Sequence, residues 1–167
     1  MELEIIEAGV ELKGIIGNLG QYYIHDLTDF LGFRCPEDGR FATTCWDRYW
    51  TEPGCRAFVL KVEDQLAGLV LIEVKGVLPE SQFSIGEFFI MRKFRGRGLG
   101  QQVAFDMFDR FRGRWEVCQL VQNKPAIAFW RKVIGRYTRG NYHELPEPVK
   151  HDQWEDIVQT FDNTNLE

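Results

Sequence analysis

Cysteine and histidine are scarce in this 167-residue chain, which contains four cysteines and three histidines. The cysteines are scattered and form no C-x-x-C pair, and they stand at Cys35, Cys45, Cys55 and Cys118. No His-x-x-x-His pattern accompanies them, so the common zinc-binding spacings are excluded and we expect no metal. Scattered thiols are typical of proteins that keep them reduced, and we therefore expect a cytoplasmic location.

The chain also lacks a long apolar run. No stretch is long enough to cross a bilayer, and the acidic residues 1–7 lack the basic and apolar regions of a signal peptide. The net charge of −5 argues against nucleic acid as a main partner. We expect neither a membrane nor a nucleic acid among the partners of this protein.

Apolar residues make up 44% of the chain and aromatic residues 14%, which excludes a disordered protein. A chain of this length is expected to form one domain, residues 1–167, with an ordinary hydrophobic core. The order predicted from periodicity is a strand, a helix, an irregular connector, three strands, a helix, a strand, a helix and two strands. Such an order predicts a mixed sheet flanked by helices.

The first helix is predicted from the helical spacing of apolar residues between Val10 and Tyr23, and it either continues to Leu31 or is followed by a second short helix. Three glycines weaken it, namely Gly14, Gly17 and Gly20. Since each glycine costs up to about 1 kcal/mol relative to alanine, we expect them to permit the close approach of another element.

The segment that organises the chain begins as an apolar strand, residues 83–91, passes through a loop rich in arginine and glycine, and continues as an amphipathic helix from Leu99 to Phe111. The first turn of a helix has backbone N–H groups without internal partners and lies at the positive end of the helix dipole. Glycines in front of it allow a ligand to approach closely. This arrangement predicts an anion-binding turn.

The spacing of the glycines narrows the choice of ligand. Gly96, Gly98 and Gly100 read G-x-G-x-G, which is neither the dinucleotide fingerprint nor a Walker loop. The remaining pattern, Arg95-x-x-Gly98-x-Gly100, resembles the acyl-CoA pyrophosphate loop of the GNAT superfamily of N-acetyltransferases, which reads Arg/Gln-x-x-Gly-x-Gly/Ala. The alternative is a surface turn rich in arginine and glycine.

A second motif follows the next predicted strand. Asn123-x-x-Ala126-x-x-Phe129-Trp130 is similar to the GNAT signature Asn-x-x-Ala-x-x-Phe-Tyr. From the residues themselves, Asn123 is predicted to cap a helix that has Pro125 in its first turn and ends at Gly135. Two separated motifs in the expected order are more specific than either alone.

The resemblance implies a GNAT-like α/β (α+β) fold. Its mixed, twisted central sheet has about six or seven strands, is flanked by about four helices and is splayed between strands 4 and 5. It also implies acetyl-CoA as co-substrate. Backbone groups of the loop hold its pyrophosphate, those of the preceding strand pair with pantetheine, and residues of the second motif lie beside pantetheine and the thioester. The loop residues that hold the pyrophosphate are Arg95, Gly96, Arg97, Gly98, Leu99, Gly100 and Gln101. The strand residues that pair with pantetheine are Phe89, Ile90 and Met91. The residues of the second motif are Asn123 and Trp130.

The implied reaction is the direct attack of a primary amine on the thioester. The amine must first lose a proton, because alkyl amines have pKa values near 10.4, that of lysine. Glu87 is the candidate base, since it is an acid in an otherwise apolar strand where partial burial raises a carboxyl pKa. The alternative for Glu87 is a solvent-facing residue or a surface ion pair with an arginine.

The proton donor to the leaving thiolate is unassigned, because Trp130 stands where the family has tyrosine. Tyr137 and Tyr142 are the nearby candidates, and water is a third. This departure also keeps open a non-catalytic protein that binds acyl-CoA as a ligand or regulator. A homodimer is possible, as in many relatives.

Residues 34–56 show little regular pattern and contain three large aromatic residues, Trp46, Tyr49 and Trp50. One interpretation is a packed connector, and the other is a substrate-facing wall that holds a cation or a ring. Together with the negative net charge, the second interpretation favours a small cationic amine as the acceptor. A nucleic-acid module that uses the basic loop is the third hypothesis, and the overall charge counts against it.

Overall fold

The computed structural model of this protein describes residues 2–151 and 153–166. The predicted domain, residues 1–167, also includes residues 1, 152 and 167, which lie outside the described residues, and it stays a prediction. Within the described residues the chain forms eight strands and four helices. Their bounds are β1 Leu3–Glu7, α1 Lys13–Leu31, α2 Arg48–Thr51, β2 Arg56–Val62, β3 Gln65–Glu73, β4 Phe83–Ile90, α3 Leu99–Arg110, β5 Arg114–Leu120, α4 Lys124–Tyr137, β6 His143–Glu144, β7 Val149–His151 and β8 Trp154–Asp162.

The predicted mixed α/β fold is confirmed, since the pairing is mostly antiparallel and β4 pairs with β5 in parallel. Two strands were predicted after α4, but three are present among the described residues, because β6 and β7 contain only two and three residues, too few for sequence periodicity to distinguish them. The residues cluster into two compact units, which are Met1–Glu73 with Gly86–Leu99 and Val74–Ile85 with Gly100–Glu167. Strand β4 contributes residues to both units.

In the first unit, β1 pairs antiparallel with β2, β2 pairs antiparallel with β3, and β3 lies beside β4. Strands β2 and β3 supply most of its core, and nearly all of their apolar side chains are at most 2% exposed. The turn between them has positive φ angles at Glu63 and Asp64, 50° and 63°, as a two-residue hairpin requires. Strands β2 and β3 therefore form a hairpin.

Helix α1 is one continuous element from Lys13 to Leu31, preceded by a 3-10 turn at Val10–Leu12. It ends at Gly32, which has a φ of 62°. Gly20 permits the expected close approach, because a Cβ there would lie 2.4 Å from a ring atom of Trp46. No neighbour lies within 4 Å of the corresponding position at Gly14. The glycine at position 20 thus lets the connector pack directly on the helix.

In the second unit, the parallel register of β4 and β5 covers two pairs, Phe83 opposite Trp115 and Ser84 opposite Glu116. Strand β5 pairs antiparallel with β8 from Arg114 to Leu120, and both β6 and β7 also pair with β8.

Helix α4 begins as predicted and ends later than predicted. The Asn123 side-chain oxygen accepts a hydrogen bond of 3.1 Å from the Ala126 N–H, which confirms the cap. The predicted end at Gly135 was wrong, because the helix continues to Tyr137. The N–H of Gly140, which has a φ of 85°, donates to the Gly135 carbonyl at 2.8 Å. A left-handed glycine three residues beyond the helix therefore completes its end.

Aromatic packing explains why the last turn of α4 forms. The Tyr137 ring lies 5.0 Å from that of Phe108 and 6.0 Å from that of Phe161, measured between centroids. Phe108 in turn packs edge-on against Trp115 at 5.0 Å. Burying an aromatic side chain contributes more than one glycine costs a helix.

Among the described residues, none of the helices is both long enough and apolar enough to span a membrane.

Candidate functional site

The loop between β4 and α3 has the backbone geometry that its glycines predict. A 3-10 turn at Arg92–Phe94 leads into Gly96 and Gly98, whose φ angles are 75° and 80°. Apart from the adjoining residues, no described residue has an atom within 4 Å of where their Cβ atoms would be, so the backbone angle and not crowding requires glycine. Leu99 then begins α3, and the first N–H groups of that helix have no partner within it.

The Arg95 side chain is engaged within the protein. Its Nη2 lies 2.5 Å from Asp26 Oδ2, its Nε donates to the Ile90 carbonyl at 2.6 Å, and its guanidinium lies 5.6 Å from the Phe89 ring centre. Arg97, in contrast, is exposed and forms no ion pair with another described residue. The side chain that remains available to an external anion is therefore that of Arg97.

Asp26 of α1 also accepts hydrogen bonds from Arg92. The Nε and Nη2 atoms of Arg92 donate to Asp26 Oδ1 at 3.2 and 2.7 Å. Partial burial of Asp26 would raise its pKa, but the hydrogen bonds and charges of Arg95 and Arg92 outweigh this and lower it. Asp26 is therefore a stable carboxylate at neutral pH.

Glu87 lies on β4 and is half-buried. Its Oε1 accepts a hydrogen bond of 3.1 Å from the indole Nε1 of Trp46, and its carboxylate accepts another from the Tyr23 hydroxyl. These partners replace the solvent or the surface arginine that the sequence left as alternatives. Both donors stand on elements remote in sequence, α1 and the connector.

Desolvation is the largest influence on the pKa of Glu87. Protein atoms crowd its carboxylate although part of the residue is accessible, and this raises its pKa to about 7. The hydrogen bonds from Tyr23 and Trp46 act in the opposite direction, while the nearby charge of Glu73 raises the pKa further. A carboxyl group with this pKa is well matched to accept a proton near neutral pH.

A second carboxylate, Glu73 on β3, lies close to this position. The Tyr49 hydroxyl donates to Glu73 Oε1 at 2.6 Å, and Arg48 Nη1 lies 3.4 Å from the same oxygen. Burial, followed by the charge of Glu73, raises the pKa of Tyr49. A Cβ at Gly86 would lie 2.2 Å from the Tyr49 hydroxyl oxygen, so only glycine fits there beside Glu87.

The connector is packed, and two of its aromatic residues also contact the carboxylates. Trp46 and Tyr49 are 6% and 5% exposed, and their polar atoms donate to Glu87 and Glu73. The Trp50 indole instead donates to the Ala8 carbonyl at 2.8 Å. An open groove of about 1080 Å³ runs along α1, and Trp46 and Trp50 line it together with Gly17, Gln21 and Thr43.

The candidate residues of the second unit are Trp130, Tyr137 and Tyr142. Trp130 is buried, with its ring 6.3 Å from that of Phe108. The Tyr137 hydroxyl donates to Asp109 Oδ1 at 2.8 Å and accepts from Asn163 Nδ2 at 3.2 Å. Burial is the main reason why the pKa of Tyr137 is raised. Tyr142 is half-buried.

Within α4, the structure separates two of the predicted residues. Asn123 caps the beginning of the helix and Tyr137 is its last residue, which places them about 20 Å apart at a rise of 1.5 Å per residue. Trp130 and Tyr137 both pack on Phe108. In the first unit, by contrast, Glu87 and Trp46 are in direct contact.

Sequence reasoning missed Tyr23, Glu73 and Asp26. Tyr23 was assigned only to an apolar helix face, and Glu73 stands at the end of a predicted strand without any motif. These residues are far from Glu87 and Arg95 in the chain and share no short motif with them. Sequence patterns therefore could not have identified these contacts. Among the described residues, no three or more metal-ligating side chains cluster together.

Comparisons with known proteins identify a matching family and several similar structures. The model of the acetyltransferase (GNAT) family matches residues 21–135. The chain is similar to spermidine N-acetyltransferase from Vibrio cholerae, solved in complex with CoA and spermine, at 13% identity and a TM-score of 0.63, over 97% of this chain and 96% of that one. No curated protein sequence matches it significantly.

Two further solved structures are similar. Aminoglycoside acetyltransferase AAC(6')-Ib, solved in complex with coenzyme A, is 9% identical with a TM-score of 0.65, over 96% of this chain and 95% of that one. The protein yncA from Salmonella typhimurium, solved with acetyl-CoA, is 14% identical with a TM-score of 0.61, over 99% of this chain and 95% of that one. At these identities the likeness shows the fold.

Proposed function

Because this chain belongs to the GNAT family of acetyltransferases, we propose that it transfers the acetyl group of acetyl-CoA to the primary amine of a small cationic acceptor. The observation that carries the proposal is the Glu87 carboxylate. It is desolvated, held by the donors Tyr23 and Trp46, and has a pKa of about 7. A group of this kind can take the proton that an alkylammonium must lose before it attacks a thioester.

The loop after β4 would hold the pyrophosphate of acetyl-CoA. Its backbone N–H groups and those of the first turn of α3 attract an anion, and the exposed Arg97 side chain adds positive charge. The backbone from Arg95 to Gln101 stays the proposed contact. Arg95 contributes through its backbone, because its guanidinium is bound to Asp26 and Ile90.

Pantetheine would add to the edge of β4 that faces away from β3. The Met91 N–H donates to the Ala67 carbonyl at 2.8 Å, and a Cβ at Gly68 would lie 2.0 Å from the Phe89 carbonyl oxygen. Both backbone groups therefore face β3. Because successive residues of a strand direct their backbone groups to opposite edges, Ile90 is the residue of these three that offers its N–H and carbonyl to pantetheine. Asn123 and Trp130 stay proposed neighbours of pantetheine and the thioester.

In the proposed reaction, Glu87 accepts the proton of the bound ammonium, and the neutral nitrogen attacks the thioester carbonyl. The tetrahedral oxyanion collapses, the carbon–sulfur bond breaks, and the CoA thiolate leaves. The nitrogen loses a second proton as the amide forms, and this proton replaces the one that the donor gives to the thiolate. Tyr137, Tyr142 and water are the candidates to protonate this thiolate. The Tyr137 proton already lies in a hydrogen bond to Asp109, so we favour Tyr142 or water.

The surroundings of Glu87 favour a cationic acceptor. A carboxylate flanked by the rings of Tyr23 and Trp46, whose centroids are 6.3 Å apart, attracts an ammonium through both charge and the aromatic faces. The groove lined by Trp46 and Trp50 offers room for the rest of the acceptor, and Tyr49 stays with them as a proposed acceptor-site residue. Two similar proteins are named for amine substrates, spermidine and aminoglycosides.

A non-catalytic acyl-CoA-binding protein is the second candidate. The observation that favours it is Trp130, which is buried against Phe108 where the family motif has a tyrosine hydroxyl. A cytoplasmic location and a homodimer stay predictions from the sequence.

The test measures release of the CoA thiol from acetyl-CoA in the presence of spermidine, an aminoglycoside and a lysine-containing peptide. We expect at least one amine to stimulate release, and Glu87→Gln to lower kcat about 100-fold, as loss of a general base does. Glu4→Gln, a change of an exposed glutamate on β1, is the matched control and keeps full activity. Acetyl-CoA binding without release for any amine would favour the second candidate.

A further inference from the structure

Two arginines of the loop segment meet on one carboxylate of α1. Arg92 donates to Asp26 Oδ1 at 2.7 Å, and Arg95 lies 2.5 Å from Asp26 Oδ2, so each oxygen has its own arginine. We call Asp26, Arg92 and Arg95 the Asp26 clamp. It joins the first helix to the segment that follows β4.

The clamp has more contacts than an isolated surface ion pair, which contributes little. The Asp26 side chain is 20% exposed, whereas that of Arg92 is 71% exposed. Arg95 is fixed from three sides, by Asp26, by the Ile90 carbonyl at 2.6 Å and by the Phe89 ring. The bond from Arg95 Nε to Ile90 closes the turn that leads from the end of β4 into the loop.

The clamp also determines which charge the loop presents. The Arg95 guanidinium is bound to Asp26 and to the Ile90 carbonyl, whereas Arg97 is exposed and forms no ion pair with another described residue. Between them stands Gly96, whose left-handed φ of 75° sets the direction of the chain toward α3. Fixing Arg95 therefore fixes where the left-handed turn begins.

We propose that Asp26 is a positioning residue for acyl-CoA. Through Arg92 and Arg95 it holds the loop so that the N–H groups from Gly96 to Leu99 are arranged for a pyrophosphate before the ligand arrives. Preorganisation of this kind improves affinity by lowering the cost of ordering the loop on binding. The inference rests on the proposed function, because it assumes that this loop binds acyl-CoA.

The experiment measures the Kd of acetyl-CoA by titration calorimetry, and kcat and KM by CoA release, for the parent protein and Asp26→Asn. We expect Kd and the KM for acetyl-CoA to rise about fivefold, with kcat at saturation changed less than twofold, since coupling within a charge network is modest. A purely structural role would lower kcat and the melting temperature together. Asp26→Glu, which keeps the carboxylate, is expected to restore part of the affinity.

Asp29→Asn is the matched control, because Asp29 is exposed on the same helix, and its Kd should equal that of the parent. Arg92→Gln offers a second route that cannot disturb the core and should raise Kd about twofold. Asp26→Asn added to the double variant Arg92→Gln, Arg95→Gln should have no further effect, because Asp26 acts through these two arginines.

Two results would overturn the inference. Unchanged Kd values in both Asp26→Asn and Arg92→Gln, in a parent that binds acetyl-CoA, would refute the clamp and leave the proposed function intact. A folded parent that binds no acetyl-CoA would refute the proposed function, and the inference with it.

Discussion

The carboxylate on β4 and the tyrosine at the end of α4 are both ionisable groups with hydrogen-bonded partners. Burial raises the pKa of both, yet the consequence for proton transfer differs. Glu87 accepts from two donors, Tyr23 and Trp46, and desolvation raises its pKa to about 7. Tyr137 donates its proton to Asp109 at 2.8 Å, and burial raises its pKa. The first group is ready to gain a proton near neutral pH, whereas the second holds its proton more firmly.

This difference shows that residue type and motif position alone do not identify a proton-transfer group. The sequence offered Glu87 as the candidate base and left the acid open among Tyr137, Tyr142 and water. The hydrogen-bond partners of Glu87 and Tyr137 distinguish the two. A carboxylate that only accepts hydrogen bonds can still take up a proton, whereas a tyrosine that donates to a carboxylate holds its proton in that hydrogen bond.

Of four substitutions that test this comparison, the one at Gly86, next to Glu87, is expected to have the largest effect on stability and activity. In Gly86→Ala the new Cβ would lie 2.2 Å from the Tyr49 hydroxyl oxygen and 2.9 Å from Glu73 Oε1. Overpacking of this kind costs about 1–3 kcal/mol of unfolding free energy, and we expect activity to fall at least tenfold as Glu87 is displaced. Chemical denaturation and CoA release would check both values, and wild-type stability would contradict the tight packing beside Glu87.

Trp46→Phe sharpens the comparison by removing one donor from Glu87 while keeping an aromatic ring. The indole hydrogen bond lowers the pKa of Glu87, so its loss should raise that pKa and move the acidic limb of the pH–rate profile to higher pH. We expect a shift of about 1–2 pH units, equivalent to one hydrogen bond to a charged group. An unshifted limb would show that Trp46 does not act on the base.

Tyr137→Phe tests the other side of the comparison. Because its proton is held by Asp109, we expect kcat to change less than threefold and the melting temperature to fall by about 2–4 °C for the loss of about 1 kcal/mol. Tyr22→Phe, a change at a tyrosine that is 59% exposed, is the control and should alter neither quantity. A hundredfold loss of kcat in Tyr137→Phe would make it the missing acid.

Gly135→Ala is expected to have the smallest effect. Its Cβ would lie 3.6 Å from Tyr142, an ordinary contact, and the position is inside a helix. Since alanine favours helices over glycine by up to about 1 kcal/mol, we expect slightly higher stability in a thermal melt. A large destabilisation would contradict the continuous helix to Tyr137.

The family, the fold and the enzyme class were predicted from two local motifs and are confirmed. The loop around Gly98 and the cap at Asn123 were predictable, because turn and cap signals depend on residues a few positions apart. The end of α4 was predicted wrongly at Gly135, since packing of Tyr137 in the core outweighs a local stop signal.

The contacts of Glu87 were beyond sequence reasoning. Tyr23 and Trp46 are far from Glu87 in the chain, and only the packing of α1 and the connector brings them to it. The connector itself consists of a 3-10 turn at Thr44–Asp47 and the four-residue helix α2. Elements this short give no detectable periodicity.

The central claim is that Glu87 is the proton acceptor for an amine substrate. The most direct measurement is the pH dependence of kcat/KM for amine-stimulated CoA release, compared between the parent and Glu87→Gln from pH 5 to 9. The account predicts an acidic limb with an apparent pKa near 7 in the parent, and the loss of this limb with low residual activity in the variant. A limb near pH 7 that persists unchanged in Glu87→Gln would contradict the assignment.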